Sequence, residues 1–191
     1  MPLFDKLKNN AAAANNAPTP QSAQTKKTGT EKIVFSALPE TLDGFKALPQ
    51  AALATPFDTA AMTVLALCFY PEDKELSLAM LEYLRGPRPM SGMEKQFIAD
   101  RFRDKDYVPR SYFEGAKPEN NYLPSEPYTV SVIADQYSYL EEGYAKLFIP
   151  SGGADSPRPI KLRLAKDGKW YLWEQALLTG IRAPESGNPW A

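Results

Sequence analysis

Histidine is absent from the 191-residue chain, and cysteine occurs once, at Cys68. Without histidine, Ser-His-Asp and Cys-His nucleophilic mechanisms are excluded. A structural zinc site built on several Cys or His ligands is excluded with them. Any acid–base chemistry would fall to Asp, Glu, Lys or Tyr. One cysteine cannot close an internal disulfide, so no oxidising compartment is implied and a cytoplasmic location is expected. Long apolar runs are also missing. The longest, Ala60 to Tyr70, has 11 residues and contains Thr63, whereas a membrane span needs about 20. Lys6 and Lys8 are not followed by an apolar stretch, so no secretory signal is expected. Excess charge of either sign is lacking as well. Lys and Arg number 22 against 23 Asp and Glu, for a net charge of −1. That balance argues against nucleic acid as a partner, because such binding rests on neutralising many phosphates.

What remains is an ordinary globular composition, 43% hydrophobic and 24% charged. Residues 9–30 hold no aromatic and no aliphatic side chain larger than Ala. Such a stretch cannot offset its ordering entropy by burial, so residues 1–31 are predicted to be a flexible, largely disordered tail. Residues 32–191 are predicted to form one globular domain. Within the tail, Leu3, Phe4 and Leu7 could form a short apolar face, suited to docking on a partner or a membrane surface or else simply a frayed apolar start.

Along the body, Ile33-Val34-Phe35 is a short β-prone run, and residues 41–53 suggest a short helix with a turn. Thr55-Pro56-Phe57-Asp58 supplies an N-cap, a Pro at the first helical position and an acid in the first turn. The helix that follows, to about Tyr70, is apolar nearly all round and therefore buried. Cys68 within it reads as a small buried hydrophobe. A second helix after Pro71 carries Leu76, Met80, Tyr83 and Leu84 at helical spacing and stops at Gly86-Pro87. Ser91-Gly92-Met93-Glu94 is a capping-box pattern for a third helix. Its apolar side is Met93, Phe97, Ile98 and Phe102, and Glu94, Lys95 and Asp100 read as a solvated face. After a proline-rich loop over residues 107–127, β patterns take over at 128–134, 143–149, 160–164 and 170–174. Asp167-Gly168 marks a hairpin. The fold class expected is α+β, with about three N-terminal helices packed on a C-terminal antiparallel meander of three to four strands.

Two stretches are candidates for binding. Ser151-Gly152-Gly153-Ala154-Asp155-Ser156-Pro157-Arg158-Pro159 allows close backbone approach at Gly152 and Gly153, with Asp155 and Arg158 able to orient a polar ligand. Equally, it has the composition of an inter-strand loop. It lacks the Gly-Lys-Ser/Thr end of a phosphate-binding loop, and no motif calls for a cofactor or a metal. The second stretch is aromatic. Tyr137, Tyr139 and Tyr144 flank one turn, and Trp170, Tyr171 and Trp173 crowd the last strand, with Lys161 and Arg163 on the outer sheet face. Such a surface can stack bases or sugars, or simply close the core and cover the sheet. The acid pairs Glu141-Glu142 and Glu72-Asp73 diverge, being adjacent in sequence. Glu174 is the single carboxylate whose burial is worth checking.

The run Gly152-Gly153-Ala154-Asp155-Ser156-Pro157-Arg158-Pro159-Ile160-Lys161-Leu162-Arg163, with Lys169-Trp170-Tyr171-Leu172-Trp173-Glu174 and the ending Pro189-Trp190-Ala191, resembles an uncharacterised bacterial family. These are domains of unknown function of the kind found in gut Firmicutes, and the resemblance covers roughly residues 35–191. It implies a bacterial cytoplasmic protein and supplies no catalytic residue. The order of helices then meander is also similar to NTF2-like domains, a likeness of fold only.

The function these observations favour is a non-catalytic binding or adaptor domain for a protein partner, through Tyr144, Arg163, Trp173 and Glu174 or through Gly152, Gly153, Asp155 and Arg158. The alternative is a small-molecule pocket, enzymatic or not, between sheet and helices. A self-associating homo-oligomer is the third reading.

Overall fold

Residues 26–187 are described by the computed structural model. Its elements, in chain order, are β1 (Gly29–Phe35), α1 (Leu42–Lys46), α2 (Pro56–Cys68), α3 (Lys74–Arg85), α4 (Gly92–Phe102), β2 (Tyr128–Ala134), β3 (Tyr144–Ile149), β4 (Arg158–Leu164) and β5 (Trp170–Gln175). The chain is α+β. The helices start where the sequence provides caps. Thr55 accepts from the Asp58 amide at α2, Asp73 from the Leu76 amide at α3, and Ser91 and Glu94 form a complete capping box at α4.

Helix α2 is the centre of the core. Pro56, Phe57 and every residue from Thr59 to Leu67 are buried. Each large side chain among them, such as Phe57 or Met62, contributes about 1.5–3 kcal/mol by leaving water. Two buried hydroxyls are satisfied: Thr59 donates to the Trp170 carbonyl (2.6 Å) and Thr63 to the Thr59 carbonyl (2.8 Å). The sheet lies against this helix with Ile33 and Phe35, Val130 and Val132, Ala145 and Leu147, and Ile160 and Leu162 pointing inward. The opposite sheet face carries Tyr144, Lys146, Phe148, Lys161 and Arg163.

The sheet order is β1-β2-β3-β4-β5, antiparallel throughout. It has five strands where the sequence predicted three to four, and it is not wholly C-terminal. β1 precedes all the helices and pairs with β2 from Gly29↔Ala134 to Phe35↔Tyr128. It also begins ahead of the expected body start at Lys32. A three-residue β-prone run gives no hint of a partner lying beyond every helix, so its place in the sheet is not legible in the sequence.

β2 and β3 diverge after one registered pair, Ile133↔Phe148. The proline-rich loop enters the gap. Phe113 bridges to Val130, the Glu114 amide donates to the Thr129 carbonyl (2.9 Å), and the Gly152 amide donates to the Ser111 carbonyl (2.9 Å).

Helix α4 differs from its expected pattern. Ile98 and Phe102 are buried, but Met93 and Phe97 are exposed. Glu94 and Lys95 are not a free polar face: they reach α3, Glu94 to Arg85 at 2.8 Å and Lys95 to Glu82 at 2.9 Å. No helix among the described residues is long and apolar enough to cross a membrane.

Candidate functional site

The outer sheet face is the place where the sequence's aromatic and charged candidates meet. Alternation along β3 and β4 puts Tyr144, Lys161 and Arg163 on that side. In β5 a register shift opposite Lys161 and Leu162 makes Trp173 the extra residue, so that Trp173 and Glu174 both leave the core. Tyr144 and Trp173 then meet edge to face, with centroids 5.6 Å apart. Arg163 lies over both rings, 5.1 Å from Tyr144 and 4.9 Å from Trp173, and donates to the Tyr144 hydroxyl at 2.8 Å. Lys161 sits 4.4 Å from the Tyr144 centroid and 2.5 Å from Glu141. The Glu141 hydrogen bond, the largest influence, raises the Lys161 pKa above its ordinary value. Glu174 is exposed.

Beside this cluster runs an open groove of about 740 Å³. Tyr144, Phe148, Pro159 and Lys161 form its floor, and the loop between β2 and β3 forms its lip. That loop is fixed from below. Ser138, only 3% exposed, donates to Asp135 and accepts from the Asp135 amide, and its carbonyl accepts from the Lys146 amide. With Ser138 anchored, Tyr137 and Leu140 project outward, 61% and 78% exposed.

The second candidate stretch is arranged differently. A Cβ at Gly152 would overlap the Ala116 carbonyl oxygen, and one at Gly153 would overlap the Tyr122 hydroxyl. The glycines therefore admit the chain's own loop, which accounts for them without a ligand. Arg158 donates to the Thr179 carbonyl (3.0 Å), the Gly180 carbonyl (2.6 Å) and Ser156, so its guanidinium ties the C-terminal segment down. Asp155 is exposed and pairs with Arg182 at 2.6 Å. Gly152, Gly153, Asp155 and Arg158 thus do not join Tyr144, Arg163, Trp173 and Glu174. Leu3, Phe4 and Leu7 lie outside the described residues.

Sequence reasoning missed Leu140, Phe148 and Arg88. Alternation along β3 marks Phe148 as outward, but nothing in sequence marks an outward Phe as a groove floor. Arg88 sits in Gly86-Pro87-Arg88-Pro89, which reads as a helix stop. In the structure its guanidinium lies 4.2 Å from the Trp173 centroid. Cys68 is partly buried against the core, and burial pushes its thiol up to about 12, which disfavours the thiolate at neutral pH. Among the described residues no group of three His, Cys, Asp or Glu could hold a metal ion.

A family model described as a domain of unknown function, DUF6935, matches residues 37–185. No curated protein and no solved structure matches the chain.

Proposed function

We propose, for a chain that belongs to this family of domains of unknown function, a non-catalytic binding domain that receives a protein partner on its outer sheet face. The observation that carries the reading is the open groove of about 740 Å³ with Tyr137 and Leu140 standing on its lip. Large apolar side chains held outward on an anchored loop lose little entropy on binding, and such residues make the strongest contacts of protein interfaces. Lys161 and Glu141 satisfy each other, which suits a fixed surface more than a proton-transferring site. We infer a bacterial cytoplasmic setting, on the family resemblance and on Cys68 standing alone.

The test is affinity capture with wild type and with the Tyr137→Ala/Leu140→Ala double variant. Both side chains are exposed, so melting stays unchanged while capture of a saturable partner falls about tenfold or more. Leu123→Ala removes a side chain 71% exposed outside the groove and leaves capture intact. Equal capture by all three proteins sinks the reading.

A small-molecule ligand is the second reading, favoured by the groove's volume, which lies in the usual range for such sites. Tyr144 and Glu174 line the groove and would face that ligand, while Asp155 and Arg158 do not. A compound that raises the melting temperature of wild type but not of Tyr144→Ala would support it. Self-association through the same face would appear as capture of the chain by itself.

A further inference from the structure

A second groove, of about 500 Å³, lies on the other side of the Tyr144–Trp173 ridge. Its charge is one-sided. Arg85, Arg88, Arg163 and Lys166 line it, against one carboxylate, Asp167. This stands out in a chain whose net charge is −1. The one carboxylate is already engaged: the Tyr171 hydroxyl donates to it at 2.7 Å and the Lys169 amide at 3.0 Å. Those bonds, the Tyr171 one foremost, hold the Asp167 carboxyl below the usual carboxylate range.

The cations differ in how they are used. Arg85 is buried and spent on the fold, paired with Glu94 and donating to the Arg88 carbonyl. Arg88 is held by the Trp173 ring and carbonyl, with Glu94 only at 3.8 Å. Arg163 and Lys166 have no carboxylate within 4.0 Å among the described residues. Two guanidinium groups are therefore fixed over one indole, and one exposed ammonium stands nearby. Guanidinium is weakly hydrated, and its planar donors match carboxylate and phosphate oxygens in pairs. Holding both groups on Trp173 before a ligand arrives removes much of the ordering cost of binding.

We propose that this groove binds a small polyanion, a ligand carrying two or more phosphate or carboxylate groups, with Arg88, Arg163 and Lys166 as its cationic contacts. The site is separate from the groove of the proposed function, and neither reading depends on the other.

Calorimetric titration of the full chain with pyrophosphate and, separately, with citrate tests it and distinguishes the two oxyanion types. Saturable single-site binding of at least one anion, weakened by added salt, is expected. Arg163→Ala and Arg88→Ala each weaken it about tenfold. Lys166 is exposed and makes no ion pair among the described residues, so Lys166→Ala weakens binding without touching the fold. Arg103→Ala removes an exposed cation just past the end of α4, outside the groove's lining, and changes nothing. No heat with either anion at millimolar concentration overturns the proposal. So does a loss for Arg103→Ala equal to that for Lys166→Ala, or binding of a Glu-rich peptide when neither small anion binds.

Discussion

At the scale of single residues, the glycines teach the most. Gly152 and Gly153 look in sequence like a loop opened for a ligand's approach. What approaches Gly152 is the Ala116 carbonyl, a backbone atom that cannot swing aside. Gly152→Ala therefore forces the proline-rich loop away from the β3–β4 connection and strains the bond from its own amide to Ser111. The expected cost is about 2–3 kcal/mol. Gly92 supplies the comparison. It is the first residue of α4 and a Cβ there meets nothing within 4 Å, so Gly92→Ala is neutral or slightly stabilising. Urea titration of both variants checks the contrast, and equal stability of the two would show that the close contact at Gly152 relaxes freely.

At the scale of elements, the expected helices and the four C-terminal strands were legible because each carried a local signal: a cap, a period, or a turn residue. What was not legible was how α4 attaches. Its sequence has four apolar residues at helical spacing, yet Ile98 and Phe102 are the buried pair. The rest of the attachment is ionic, running from Glu94 to the buried Arg85 and from Lys95 to Glu82. No periodicity records a contact between two helices' charges. Burial alone would push the Glu94 carboxyl up, but the Ser91 hydrogen bonds with Arg85 and Arg88 outweigh it and hold the group below the ordinary 4.5. The same balance, through Lys95 and the Met90 amide, lowers Glu82. A carboxyl lowered in the folded state binds its proton more tightly when unfolded. Its stabilisation is full above pH 4.5 and is lost as pH falls through the folded value. The Glu94 side chain is 35% exposed and its charge is partly screened by water, so Glu94→Gln is expected to cost no more than about 1 kcal/mol at neutral pH. The difference from wild type shrinks as the solution is taken below pH 4.5. Thermal melts of both proteins across that range measure it, and a gap that stays constant would mean the pair with Arg85 adds nothing beyond shape.

At the scale of the whole molecule, the candidate site shows the limit of one-dimensional reading. Tyr144, Arg163, Trp173 and Glu174 could be grouped from sequence because they sit on neighbouring strands with clear alternation. The groove lined by Tyr144 and Glu174 needed Tyr137, Leu140 and Phe148 to be brought over the same face by the β2–β3 loop. The cationic groove needed Arg88, contributed by a turn between helices. The sheet itself depends on an equally distant contact. β1 reaches β2 from the opposite end of the helical segment, and it brings Phe35, 1% exposed, edge-on to Phe113 at 6.4 Å. Losing a side chain like Phe35 costs about 3–5 kcal/mol. Ile33 and the seven-residue ladder add to that. The sum is comparable with the whole stability of a typical domain, about 5–15 kcal/mol. A chain trimmed to residues 37–187 keeps every helix and four strands but bares the β2 edge, with its unpaired amides and carbonyls beside Val130 and Val132. It is expected to be unfolded or aggregated. A chain trimmed to residues 26–187 keeps β1 and the described core, and it should melt with the full chain. Circular dichroism melts and size-exclusion chromatography of the two trimmed proteins decide the matter. A soluble 37–187 protein with the full chain's melting temperature would mean that β1 is an accessory to the sheet rather than the strand that completes it.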